Sequence, residues 1–97
     1  MGLDIIEEKN LNDVIAYALD YPNVVLVEAR ALVPDTAMLS NFSYGLYVGY
    51  ISGVFFDGFL RRSKRFLNDD EMSDFHAILF KRSSEIWLKI KAHLDKK

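Results

Sequence analysis

Apolar residues recur at helical intervals along most of the chain. In the first stretch Leu3, Ile6, Leu11, Val14, Ile15, Ala18 and Leu19 follow a 3.6-residue period. Asp4 with Glu7 three residues on has the spacing of a capping box with aspartate as the cap. Residues 4–20 are therefore expected to form an amphipathic helix, with Asn10 and Asn12 as its weak points, since asparagine favours caps over helix interiors. Tyr21-Pro22-Asn23 punctuates the chain, because Pro22 biases Tyr21 away from the helical region.

Residues 23–33, NVVLVEARALV, carry two signals. Their four valines suit a strand, while Glu28-Ala29-Arg30-Ala31-Leu32 is strong helix-forming material. Helix is the favoured reading, because a lone strand among helices leaves a row of backbone groups unpaired; a strand survives only if paired across a dimer. Pro34-Asp35-Thr36 then opens the next element, with Thr36 or Asp35 as N-cap. From Ala37 to about Arg65 the pattern stays helical, an element of roughly 40 Å. Its apolarity on every side predicts a central helix enclosed by the others. Asn68 and Glu71 form a second capping box, and Met72, Phe75, Ile78, Leu79, Ile86, Ile90 and Leu94, broadened by Trp87, mark one long C-terminal helix. The pattern predicts an all-α fold: one domain over residues 1–97, a bundle of about four helices around the central one.

Composition agrees with one small core. The chain has 97 residues, 51% of them apolar and 27% charged, enough for a single domain and unlike a disordered segment. It has no cysteine, so thiolate chemistry and a disulfide scaffold are excluded, and a cytoplasmic location is expected. The N-terminus lacks the basic and apolar regions of a secretory signal. Residues 37–56 form an uncharged run long enough to cross a bilayer, but Ser40, Asn41, Ser43, Ser52 and three tyrosines dilute it. A buried helix is the expectation, and a membrane partner is disfavoured.

Charge divides the chain more sharply than its net −2 suggests. Residues 1–35 hold seven acids against Lys9 and Arg30, whereas residues 61–97 hold ten bases against six acids. Such a division disfavours a uniformly basic nucleic-acid binder. Glu7, Glu8, Asp13, Asp20, Glu28 and Asp35 are expected to steer toward a basic protein partner such as a nuclease toxin. The run Arg61, Arg62, Lys64 and Arg65 is an alternative anion site, or a solvated end that complements the helix dipole.

Catalytic chemistry finds little support. His76 and His93 stand apart from any second ligand at metal-binding spacing, and Asp69, Asp70, Glu71 and Asp74 are what a helix N-terminus favours. No metal or cofactor is expected, and no enzymatic activity. Gly45, Gly49 and Gly53 lie four residues apart, unlike a phosphate loop; that spacing lines one side of a helix and admits another backbone closely. An intramolecular crossing is preferred over a homodimer seam, since a small domain must first fill its own core. Gly49→Leu is then expected to destabilise by overpacking. Tyr44, Tyr47 and Tyr50, offset from the stripe, are taken as core. Asp57, the one charge between Asp35 and Arg61, is expected to pair with Arg61 a turn away.

The stretch YGLYVGYISGVFFDGF, and within it GYISGVFFDG, resembles the glycine-rich helix of helical immunity proteins that neutralise peptidoglycan-amidase toxins of type VI secretion. The resemblance covers about one sixth of the chain. It implies a small all-α fold and tight inhibition of a cognate toxin. Those proteins usually carry a signal peptide and cysteines; this sequence shows neither, so the resemblance implies a cytoplasmic member or a mature chain. Cytoplasmic immunity proteins of contact-dependent inhibition systems and of colicins are similar in size and helicity. The expected function is stoichiometric protein binding, as an immunity protein. The alternatives are a small phage or plasmid anti-defence inhibitor, or a nucleic-acid-contacting regulator using Arg61, Arg62, Lys64, Arg65, Lys81 and Arg82.

Overall fold

Asp4 caps the first helix through its carboxylate, which accepts the Glu7 N–H at 2.8 Å. Helix α1 (Ile5–Asp20) runs on without a break at Asn10 or Asn12. The computed structural model describes residues 2–26 and 36–95. Pro22 sits at the first position of α2 (Pro22–Leu26), where its missing N–H is no loss. Of the segment with both strand and helix signals, residues 23–26 are helical; residues 27–33 lie outside the described residues.

Helix α3 (Thr36–Ser63) is the long central element. It stops two residues short of Arg65 because Lys64 adopts a left-handed φ of 61° while donating its N–H to the Leu60 carbonyl at 2.8 Å. Helix α4 (Asp69–Lys81) opens with the predicted capping box, complete in both directions: Glu71 N–H donates to Asn68 Oδ1 and Asn68 N–H to Glu71 Oε1, each at 2.8 Å.

The single C-terminal helix expected from periodicity is two helices, α4 and α5 (Ser83–Asp95), divided at Arg82. The Arg82 N–H is shared between the carbonyls of Ile78 and Leu79, and Ser83-Ser84, poor interior residues, begin the new helix. The Arg82 guanidinium clamps Glu85 at 2.9 Å and reaches Asn12 on α1. Buried Phe75, Leu79, Ile86 and Ile90 keep helical spacing through the break, so the pattern does not reveal it.

The core gathers on one side of α3. Leu11, Ile15 and Ala18 of α1, Val25 and Leu26 of α2, Phe75 of α4, and Ile86 and Ile90 of α5 surround Tyr47, Ile51, Phe55 and Phe59. Phe55, Phe56, Phe59 and Phe75 form an aromatic cluster with ring centroids 4.8–6.3 Å apart. The molecule measures 44 × 21 × 21 Å, about as long as α3 itself. The fold is all-α with no strand among the described residues, and among them no helix is long and apolar enough to cross a membrane.

The expected full enclosure of α3 is corrected by the packing. Leu39, Ser43, Tyr47, Ile51, Phe55 and Phe59 are buried, but Asn41, Gly45, Gly49, Gly53, Asp57 and Arg61 are exposed along the other side. Both sets repeat every four residues. The bulky set draws the neighbouring helices onto itself, and the described residues leave the glycine set uncovered.

Candidate binding face

The basic run at the end of α3 is occupied from within the chain. Arg62 holds Glu7 with two hydrogen bonds, at 2.6 and 3.0 Å, and Arg65 holds Glu71 likewise at 2.7 and 2.9 Å. Arg61 pairs with Asp57 at 3.0 Å, as its spacing predicts, and both side chains are exposed. Lys64 serves to end the helix. Three of the four residues considered for anion binding are thus engaged by carboxylates.

These pairs are structural pins. The Arg65 hydrogen bonds, helped by the Asn68 N–H, hold the Glu71 carboxyl down to about 2. Arg62 holds Glu7 below the ordinary carboxylate range in the same way, against the opposing effect of burial. Arg65 also lies over the Phe59 ring, 5.3 Å from its centroid, so this end of α3 is tied both to α4 and to the aromatic cluster. Nearby, Asp74 accepts the Leu3 N–H at 2.9 Å and secures the start of the chain.

The acids proposed as a partner surface are dispersed. Glu7 is turned inward onto Arg62. Glu8 faces a polar cleft with Asn12, Ile78, Lys81, Arg82 and Glu85. Asp13 borders a different cleft and pairs with Lys9 at 2.8 Å, while Asp20 is exposed near the end of α1. Glu28 and Asp35 lie outside the described residues.

Gly45, Gly49 and Gly53 overturn the expected intramolecular crossing. All three are exposed, and a Cβ added at any of them meets nothing within 4 Å among the described residues. Beside them runs a cleft of about 330 Å³ lined by Asp13, Val14 and Tyr17 of α1 and by Tyr50 and Val54 of α3. Tyr17 is half exposed, and its ring leans on Tyr21 with 4.7 Å between centroids. Tyr17, Tyr21 and Val54 have no place in a reading built on charge and glycine spacing. Only the packing of α1 on α3 brings Tyr17 and Tyr50 to one cleft.

The central tyrosines have separate fates. Tyr47 is fully buried, its hydroxyl and that of Ser43 one turn earlier have no hydrogen-bond partner among the described residues, and burial pushes the phenol up. Tyr44 stacks on Trp87 at 4.4 Å, and Tyr50 borders the cleft. His76 is exposed and meets the Phe75 ring edge-on at 5.5 Å. No group of three or more His, Asp or Glu side chains suited to a metal gathers among the described residues.

Comparison with protein-family models, with curated proteins and with solved structures found no match.

Proposed function

We propose that this chain is a stoichiometric protein-binding inhibitor, an immunity protein that neutralises a bacterial toxin in the cytoplasm by direct contact. The observation that carries this reading is the uncovered glycine side of α3. Each exposed helical glycine costs about 1 kcal/mol relative to alanine, and nothing in the described core uses the space the three glycines leave. Close approach by the backbone of another protein gives that space a use. The adjoining tyrosines supply large, rigid contact area typical of binding hot spots.

The nucleic-acid alternative has less charge to work with, because Arg62, Arg65 and Arg82 are each held by a carboxylate, leaving Arg61 in a weak, exposed pair with Asp57. A second copy of the chain is the other occupant the glycine stripe admits.

The test is a titration against the product of the neighbouring reading frame. The expected result is a one-to-one complex with a Kd of about 1 nM, the range of a natural protein inhibitor, and rescue of a host expressing that product. Gly49→Leu is expected to weaken the complex while the free protein stays folded. Absence of binding and rescue would overturn the reading, and self-association by light scattering would assign the stripe to a dimer instead.

A further inference from the structure

The cleft between α1 and α3 combines two phenol rings with a carboxylate. Tyr17 and Tyr50 line it, Val14 and Val54 supply apolar wall, and Asp13 stands at the rim. Each part suits a cationic side chain. Phenol faces attract a cation through the ring quadrupole, the valines cover an alkyl stem, and the carboxylate supplies the counter-charge.

In the free protein Asp13 is served by Lys9, one turn earlier on the same helix, at 2.8 Å. Both side chains are mostly exposed, 75% for Lys9 and 62% for Asp13, so the pair is weak and open to exchange. The lining itself favours an incoming cation: among the described residues Asp13 is its one charged member, and no base lines the cleft. The opposite wall belongs to a run, Thr36 to Phe56, that contains no charge.

We propose that this cleft receives an arginine side chain of the partner protein, with its guanidinium against Tyr17 and Tyr50 and bonded to Asp13 in place of Lys9. Arginine fits better than lysine, since its planar group stacks on aromatic faces and bonds a carboxylate in two places. The partner segment is then a basic stretch that brings one arginine into the cleft. The proposal rests on reading this face as the partner-binding one, and it names the chemistry that face selects.

Amide NMR of the full chain, titrated with acetylated hexa-arginine amide and with the hexalysine equivalent, tests it. The expected shifts centre on Asp13, Val14, Tyr17, Tyr50 and Val54, with hexalysine binding about threefold more weakly. Lys9→Gln should tighten hexa-arginine binding about threefold by freeing Asp13, and Asp13→Asn should weaken it about fivefold. Tyr17→Leu should also weaken it, whereas Tyr17→Phe, which keeps the ring, should not. Shifts spread over Asp4, Glu8 and Asp20 without the tyrosines, or indifference to Lys9→Gln, would overturn the assignment. Peptide binding here combined with failure of the neighbouring gene product to bind would uphold the cleft and remove the immunity reading. A toxin complex whose affinity ignores Asp13→Asn would do the reverse.

Discussion

The two sides of α3 have the same repeat and opposite fates. Leu39, Ser43, Tyr47, Ile51, Phe55 and Phe59 recur every four residues and are buried; Gly45, Gly49 and Gly53 recur every four residues and are exposed. A repeat of four defines a stripe on a helix without saying which stripe faces the core. Apolar area decides that, because burying a phenylalanine side chain is worth roughly 1.5–3 kcal/mol and a glycine has no side chain to bury. The glycine side is then left uncovered by the described residues.

The comparison breaks most visibly on its buried side. Phe55→Ala, at a fully buried position within the four-ring cluster, is expected to cost about 3–5 kcal/mol, read as a fall in the urea midpoint. A loss below 1 kcal/mol would mean that the cluster is loosely packed and the division between the two sides shallow.

A smaller effect tests the pins that hold α3 in its orientation. The Glu71 carboxyl lies at about 2 in the folded chain against an ordinary 4.5, so its pairing with Arg65 favours the folded state fully above the ordinary value. That contribution is lost as pH falls from about 4.5 toward 2, and Glu7, shifted in the same direction by Arg62, adds to the loss. Urea midpoints measured from pH 6 to pH 2 should therefore decline, and Glu71→Gln should flatten part of the decline. An unchanged slope would show that Arg65 and Glu71 do not pin the helix in solution.

The open side gives the smallest effect and the opposite sign. Replacing Gly45, Gly49 and Gly53 together by alanine should stabilise the free protein by about 2 kcal/mol, through helix propensity and a less flexible unfolded chain. Thermal unfolding reads this directly. Destabilisation would show the stripe to be covered after all. By the same logic Gly49→Leu is expected to be near neutral in the free protein, not overpacked, because none of the described residues stands within 4 Å to be displaced.

Much of the helical layout is legible in the residues. Asp4 and the Asn68–Glu71 box mark two helix starts because a cap is a local hydrogen bond between residues three apart. Asp57–Arg61 is equally local. The break at Arg82 is hidden, since the apolar spacing continues across it and the guanidinium bond to Asn12 spans 70 residues of chain. The site is less legible still. Asp13 and the glycines stand out by charge and spacing, yet the cleft exists only because α1 and α3 bring Tyr17 and Tyr50 to line one space. The four bases of residues 61–65 look like a surface patch in sequence; Glu7, 55 residues from Arg62, takes one of them, and Asp57 and Glu71 pair with two more.

The sequence by itself determined that this chain is helical, where two of its helices begin, and that its longest helix carries a glycine stripe, because periodicity and caps act over a few residues. Tertiary structure decided which stripe is buried, which charges are neutralised and where two tyrosines meet a carboxylate. Those outcomes depend on residues far apart in the chain competing for the same limited interior, and only their packing resolves the competition.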